Sequence, residues 1–249
     1  MAGAALLGRL TWLVAEVVDS IPETPRVRSL VLDVAGWPGH RAGQHVDVRL
    51  TAEDGYQAQR SYSIASPPGD ERVVLTVERL EDGEVSPYLV DEVRIGDRFE
   101  LRGPIGGYFV WDAALGDPLL LVAGGSGVVP LMAMIRHRRA VGSSVPARLL
   151  YSSRTLEDVI YREELERLAA GGDGLEVVHT LTRERPAGWT GYGRRIDAEI
   201  LREVAWDDGG TLAFVCGPTR LVESVAGDLV ALGYEAGRVK TERFGPTGG

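Results

Sequence analysis

The chain is short of the residues that make covalent staples and metal centres. Its 249 residues include a single cysteine, Cys216. One cysteine excludes an intrachain disulfide and any cysteine-ligated iron–sulfur cluster carried by this chain alone. Histidine is scarce as well: His40, His45, His137 and His179 show no metal-ligand spacing, so no metal site is expected. Nowhere do about 18 apolar residues run together, so no membrane-spanning helix is expected. Positive charge is in deficit. Against 36 Asp and Glu stand 27 Lys and Arg, a formal net charge of −9, which argues against nucleic acid as the main partner. Repeats and low-complexity tracts are absent, and residues 171–174 and 207–210 read as plain turns. Residues 1–7 are apolar but lack a basic flank and a cleavage site. They read as a ragged start rather than a signal peptide, and a cytoplasmic setting is expected.

What is there is the composition of a soluble globular protein, 44% hydrophobic and 25% charged, with length for one large domain or two ordinary ones. The organising stretch covers residues 118–139. An apolar run, Leu119-Leu120-Leu121-Val122-Ala123, has strand length. Gly124-Gly125-Ser126-Gly127 follows, and Val128-Val129-Pro130-Leu131-Met132 opens what reads as an amphipathic helix. A buried strand, a glycine turn and a helix start make a dinucleotide-binding unit: glycines admit a pyrophosphate, and the helix N-terminus offers it N–H groups and a positive dipole end. Pro130 suits the first turn, where a missing N–H costs nothing. The bland alternative is a tight strand-to-helix turn of any α/β domain.

Upstream, residues 10–18, 27–34, 45–50, 61–65, 72–79 and 98–101 read as short strands separated by Gly, Pro and Asp clusters. Strands at this spacing indicate a six-stranded antiparallel β-barrel. One helix is expected at 86–93, with Ser86 as cap and Pro87 at the first position. Two spots look chemical. In Arg60-Ser61-Tyr62-Ser63, the arginine can fork onto a phosphate, the tyrosine can lie against a heterocycle and Ser63 can bond that ring's polar edge. In Gly83-Glu84-Val85-Ser86, a glycine turn and a hydroxyl before a helix suit an anion. The alternatives are a polar edge strand and a plain helix cap.

Downstream, strands at 147–151, 175–179, 211–215 and 239–244 alternate with helices at 162–169, 197–204 (capped by Asp197) and 218–232 (stopped by Gly233). This is a doubly wound α/β parallel five-stranded sheet, and the boundary divides the chain into units of 1–112 and 113–249. Ligands bind such sheets at the strand ends. Gly124 to Gly127 is one end. Ser153-Arg154 is a second, with an arginine where an acid would bond a ribose hydroxyl. Cys216-Gly217-Pro218 is a third, where a thiol can line a pocket or simply fill the core.

In this order, Arg60-Ser61-Tyr62-Ser63, Gly83-Glu84-Val85-Ser86, Gly103-Pro104-Ile105-Gly106, Gly124 to Pro130, Cys216-Gly217-Pro218 and Glu242-Arg243-Phe244 resemble the ferredoxin–NADP reductase superfamily over nearly the whole chain. The resemblance implies an FAD-dependent NAD(P)H oxidoreductase, with FAD on the barrel and NADP (or NAD) on the sheet. By it, Arg60 binds the flavin pyrophosphate, Tyr62 stacks on the isoalloxazine and Ser63 faces its N5 edge. Gly83, Val85 and Ser86 hold the pyrophosphate from the other side, and Thr76, Val77 and Glu78 pass near the flavin. Gly125, Ser126, Gly127 and Pro130 take the nicotinamide dinucleotide's phosphates. Cys216, with Gly217 and Pro218, sits close to nicotinamide C4. Glu242 and Phe244 match a carboxylate and an aromatic of related enzymes, although Thr241 stands where many have tyrosine or serine. Ser153, Arg154, Arg183 and Arg195 fall where NADP users gather groups around the 2′-phosphate; the alternative is solvated loop arginines.

Ser63, Cys216 and Glu242 are thus the residues expected beside the reacting atoms. Hydride transfer from nicotinamide to flavin needs position and a dry pocket, and no protein acid or base is assigned. With no spare length or cysteines for an iron–sulfur domain, the acceptor is expected to be separate: a ferredoxin, an oxygenase component, or free flavin or another diffusible acceptor. A flavin-binding regulatory subunit is the reading from another class.

Overall fold

The computed structural model describes residues 10–206 and 210–244. The expectations for residues 1–7 and for most of the 207–210 turn lie outside them. The N-terminal sheet is antiparallel and contains β1 (Trp12–Thr24), β2 (Val27–Val34), β3 (His45–Thr51), β4 (Gln57–Ser63), β5 (Val73–Glu78) and β6 (Arg98–Ile105), in the order β4-β3-β6-β1-β2-β5. A bridge between Ile64 and Leu75, with Ala65 N–H donating to the Val74 carbonyl at 2.8 Å, joins the two edges into a barrel. Closure removes the free edges that an open sheet would expose. Inward residues such as Leu30, Leu32, Val46, Val48, Leu75 and Leu101 are fully buried and form the barrel core.

The second sheet is parallel: β7 (Leu119–Gly124), β8 (Ala147–Ser153), β9 (Leu175–Leu181), β10 (Leu212–Pro218) and β11 (Val239–Phe244), in the order β11-β10-β7-β8-β9. Its helices are α1 (Val128–Ala140), α2 (Arg162–Ala169), α3 (Ala198–Val204) and α4 (Thr219–Ala231). The strand alternation divides the core. Leu119, Leu121 and Ala123 point to the side of α1 and α2, while Leu120 and Val122 point to α3 and α4. Both faces of β7 are covered, which is why its sequence is an unbroken apolar run.

Four local expectations are corrected. β1 continues to Thr24 instead of ending at residue 18, because beyond its β6 pairing at Trp12–Glu16 it stays paired with β2 from Ala15 to Thr24, through register shifts after Val17 and Pro22. β4 begins earlier than residue 61, since Gln57 pairs with Thr51 of β3. The helix expected at 86–93 is a five-residue wide turn, Tyr88–Glu92, closed by Val93 N–H on the Tyr88 carbonyl. Ser86 does not cap it; its Oγ accepts from Leu80 N–H at 3.1 Å and closes the preceding turn. Finally, α1 is not amphipathic in its first two turns: every residue from Val128 to Ile135 is buried. The sheet covers one side, and the barrel residues Ala42, Ala65 and Phe109 share a core with the other. Even Arg138 is 1% exposed, bonding the Val145 and Asp173 carbonyls and pairing with the Asp173 carboxylate.

Candidate functional site

On the barrel, the two spots expected to bind phosphate come together. Arg60 on β4 pairs with Glu84 at 3.0 Å, and Tyr56 donates to the other Glu84 oxygen at 2.8 Å. Glu84 thus parks the Arg60 fork beside the 83–86 turn. That turn is tight, and a Cβ on Gly83 would come within 2.8 Å of Ser86 Oγ. The Val85 side chain belongs to the barrel core, so only its backbone is free for a ligand. Tyr62 is half-buried against the same core, and burial raises its hydroxyl pKa. Ser63, at the end of β4, is buried, and its Oγ has no hydrogen-bond partner. A buried hydroxyl left without a partner costs free energy unless a ligand satisfies it.

The 76–78 stretch divides. Val77 is core and Glu78 pairs with Arg26 at 3.3 Å. The Thr76 hydroxyl is not turned to a ligand: it bonds Ser29 Oγ at 2.7 Å and accepts from the Tyr161 hydroxyl of the other unit.

On the sheet, the glycine turn does two different jobs. Gly125 has φ +55, and a Cβ there would meet nothing within 4 Å, so open space lies over it. Gly127 instead packs: a Cβ would fall 2.2 Å from the Cys216 carbonyl oxygen. Its glycine is demanded by the close approach of β10. No side chain caps the start of α1, and Pro130 is buried in its first turn. An uncapped N-terminus beside an open turn fits a phosphate.

Cys216 and Glu242 are register neighbours on β10 and β11, followed by Gly217 opposite Arg243 and Pro218 opposite Phe244. Cys216 is fully buried; burial first, and Glu242 second, hold its thiol pKa well up. A thiol held up in this way stays protonated, which argues against a nucleophilic role. Burial pushes Glu242 up to about 7, and its Oε2 has no partner. Phe244 packs partly buried on the central core. Among the described residues, no hydrogen bond links Ser63 to Cys216 or Glu242. Two orphaned buried polar atoms, a tight glycine cradle on the barrel and an open glycine turn on the sheet fit a dinucleotide flavin and a nicotinamide dinucleotide.

At the far strand ends, Ser153 is buried while Arg154, Arg183 and Arg195 are exposed and have no ion-pair partner among the described residues. The backbone gathers two of them, Arg183 N–H donating to the Arg154 carbonyl at 2.9 Å. Arg194 is engaged elsewhere, by Asp197 at 2.8 Å and by Glu199. Sequence reasoning missed the residues that join the units: Arg136, Tyr161, and Tyr108, whose ring lies 4.7 Å from Lys240 Nζ. Nothing in their sequence context marks a contact between elements so far apart in the chain.

A barrel docked on a parallel sheet, matched by family models for both units, defines a flavin- and pyridine-nucleotide-binding oxidoreductase. Residues 26–110 match the oxidoreductase FAD-binding domain and residues 121–227 the oxidoreductase NAD-binding domain. Ferredoxin–NADP reductase B of Sorangium cellulosum is 36% identical over 239 residues, covering 92% of this chain and 96% of that protein. A glycine betaine monooxygenase reductase subunit of Pseudomonas aeruginosa is 32% identical over 210 residues, 83% of this chain but only 57% of that protein. The structure of an Amycolatopsis cytochrome P450 reductase superposes with a TM-score of 0.83 at 26% identity, covering 96% of this chain and 71% of that one. The chain belongs to the ferredoxin–NADP reductase family. No described helix is long and apolar enough to cross a membrane.

Proposed function

We propose that the chain takes electrons from NADPH (or NADH) by hydride transfer to FAD and delivers them to a separate one-electron acceptor, a ferredoxin or an oxygenase component. The observation that carries this reading is the pair of cradles, one on each unit: Arg60 held beside the 83–86 turn, and the open Gly125 turn abutting Cys216. The reading divides the chain into an FAD-binding unit, 1–112, and an NAD(P)-binding unit, 113–249. Bound FAD supplies the chemistry, accepting a hydride and releasing electrons singly. The chain's residues bind, orient and exclude water. Arg60 exchanges Glu84 for pyrophosphate, with the backbone of Gly83 and Val85 and the Ser86 turn on its other side. Tyr62 backs the flavin ring and Ser63 Oγ bonds its polar edge. The backbone of Thr76, Val77 and Glu78 flanks it. Gly125, Ser126 and the α1 N-terminus take the nicotinamide dinucleotide's phosphates; Cys216, Gly217 and Pro218 wall the nicotinamide, with Glu242 and Phe244 behind. A cytoplasmic setting goes with a soluble nucleotide donor.

The unpaired Arg154, Arg183 and Arg195 favour NADPH, because three guanidinium groups around a 2′-phosphate dianion reward that charge and reject an acid. No ion pair ties Arg183 to Glu184 among the described residues, which leaves its fork available. Two measurements test the reading. Cytochrome c reduction with and without added ferredoxin should depend on the ferredoxin; equal rates without it would favour a diffusible acceptor. The ratio of kcat/KM for NADPH over NADH should exceed one and collapse in Arg154→Ala with Arg183→Ala. A wild type that prefers NADH would dispose of the 2′-phosphate assignment.

A further inference from the structure

We propose that Arg136 and Tyr161 form a latch that fixes the nucleotide-binding unit against the seam of the barrel and so positions nicotinamide for flavin; the positioning role rests on the function proposed above. Tyr161, just before α2, is the sole non-glycine residue with positive φ among the described residues, at φ 60 and ψ 26. A tyrosine in the left-handed region is disfavoured and persists where its surroundings over-determine it. Here part of the surroundings belongs to the other unit. The buried Tyr161 hydroxyl donates to Thr76 Oγ1 on β5. Ser29 Oγ on β2 donates to Glu23 at 2.6 Å and lies 2.7 Å from Thr76 Oγ1. A hydroxyl has one proton, so with the Ser29 proton spent on Glu23 the Thr76 hydroxyl must donate to Ser29. The chain of donors therefore has one direction, from Tyr161 through Thr76 and Ser29 to the Glu23 carboxylate.

Arg136 of α1 makes the second grip. Its Nη1 donates to the Ala65 carbonyl at 2.8 Å, two residues past Ser63. Glu164 of α2 holds the rest of the fork at 2.9 and 2.6 Å, and the guanidinium lies 4.7 Å over the Tyr161 ring. The two gripped points, Ala65 and Thr76, flank the place where the barrel closes, with Ala65 N–H on the Val74 carbonyl. Directional bonds at two points restrain rotation between rigid units in a way that apolar contact alone does not. Hydride transfer is sensitive to displacements on the order of 1 Å.

The test uses the flavin-loaded chain and two readouts. Hydrogen exchange needs no turnover: peptides containing Ala65, Val74 and residues 161–165 should exchange faster in Tyr161→Phe, while those of β7 and β10 stay unchanged. Single-turnover flavin reduction at saturating NADPH should slow about tenfold in Tyr161→Phe, in Thr76→Val and in Arg136→Lys, with nucleotide Kd and flavin content unaltered in Tyr161→Phe and Arg136→Lys. The Tyr161→Phe/Thr76→Val double variant should be no slower than Thr76→Val alone, because the Tyr161–Thr76 bond is already lost in that variant. Unchanged exchange would overturn the latch. Faster exchange with a full reduction rate, or additive losses in the double variant, would overturn its positioning role and leave an adhesive contact. Wild type that neither NADPH nor NADH reduces would sink the proposed function, while the exchange data would still decide whether the latch exists.

Discussion

Glu242 offers the sharpest quantitative test. Its carboxyl lies on the edge strand β11 opposite Cys216, with Oε2 buried and unbonded, and burial pushes its pKa from 4.5 up to about 7. The folded chain thus holds this proton more tightly than the unfolded chain. Below about pH 4.5 both states are protonated and Glu242 has no net effect. Between about 4.5 and 7 the unfolded state ionises first, so stability falls as pH rises; above about 7 the loss is complete and constant. The gap between the two values corresponds to roughly 3 kcal/mol. Glu242→Gln keeps the shape and removes the charge. It should match wild type in acid and exceed it by about 3 kcal/mol above neutrality. Urea unfolding of both proteins across this range measures the difference, and subtracting one curve from the other cancels every other titrating group. A difference that stays flat with pH would refute the claim that Glu242 is buried without a partner. The flavin-reduction rate should show a break near pH 7 in wild type that disappears in Glu242→Gln, if the protonated carboxyl serves the pocket.

Three further outcomes are expected. Arg60→Ala should weaken FAD retention by about ten- to hundredfold, the value of one charge-assisted phosphate bond, whereas Glu84→Gln, which frees the Arg60 fork, should tighten it; equilibrium dialysis of both variants gives the answer, and FMN in the denatured extract would contradict the dinucleotide cradle. Gly127→Ala should lower Tm and abolish nucleotide binding, because its Cβ would sit 2.2 Å from the Cys216 carbonyl oxygen; an overpacked site of this kind costs about 1–3 kcal/mol or more, and an unchanged Tm would mean that β10 can retreat. Cys216→Ala should keep its flavin, turn over NADPH more slowly and, like wild type, resist thiol reagents; a full hydride-transfer rate would reduce Cys216 to core filler.

Much of this protein was determined by local pattern. The run from Leu119 to Ala123 reads by its length and unbroken apolar character as a strand covered on both faces, and the glycines after it as a turn before a helix. Alternation at 45–50, Asp197 as a cap and Gly233 as a stop are short-range effects, decided by residues a few positions apart. The ordered motifs carried the cofactor classes through their resemblance to a known family, since each motif is a run of consecutive residues; only the fold brings Arg60 to the 83–86 turn. Tertiary structure decided what depends on neighbours distant in the chain. Gly127 reads in sequence as a phosphate glycine, and only the approach of β10 adds a packing reason why no side chain fits there. Thr76 looked available to the flavin, and only Tyr161, 85 positions away, takes its hydroxyl. The first turns of α1 looked amphipathic, and only the docked barrel buries their second side. Glu242 is marked in sequence only by its place in a family motif; its raised pKa comes from desolvation, which no spacing of residues encodes and which exists only in the folded chain.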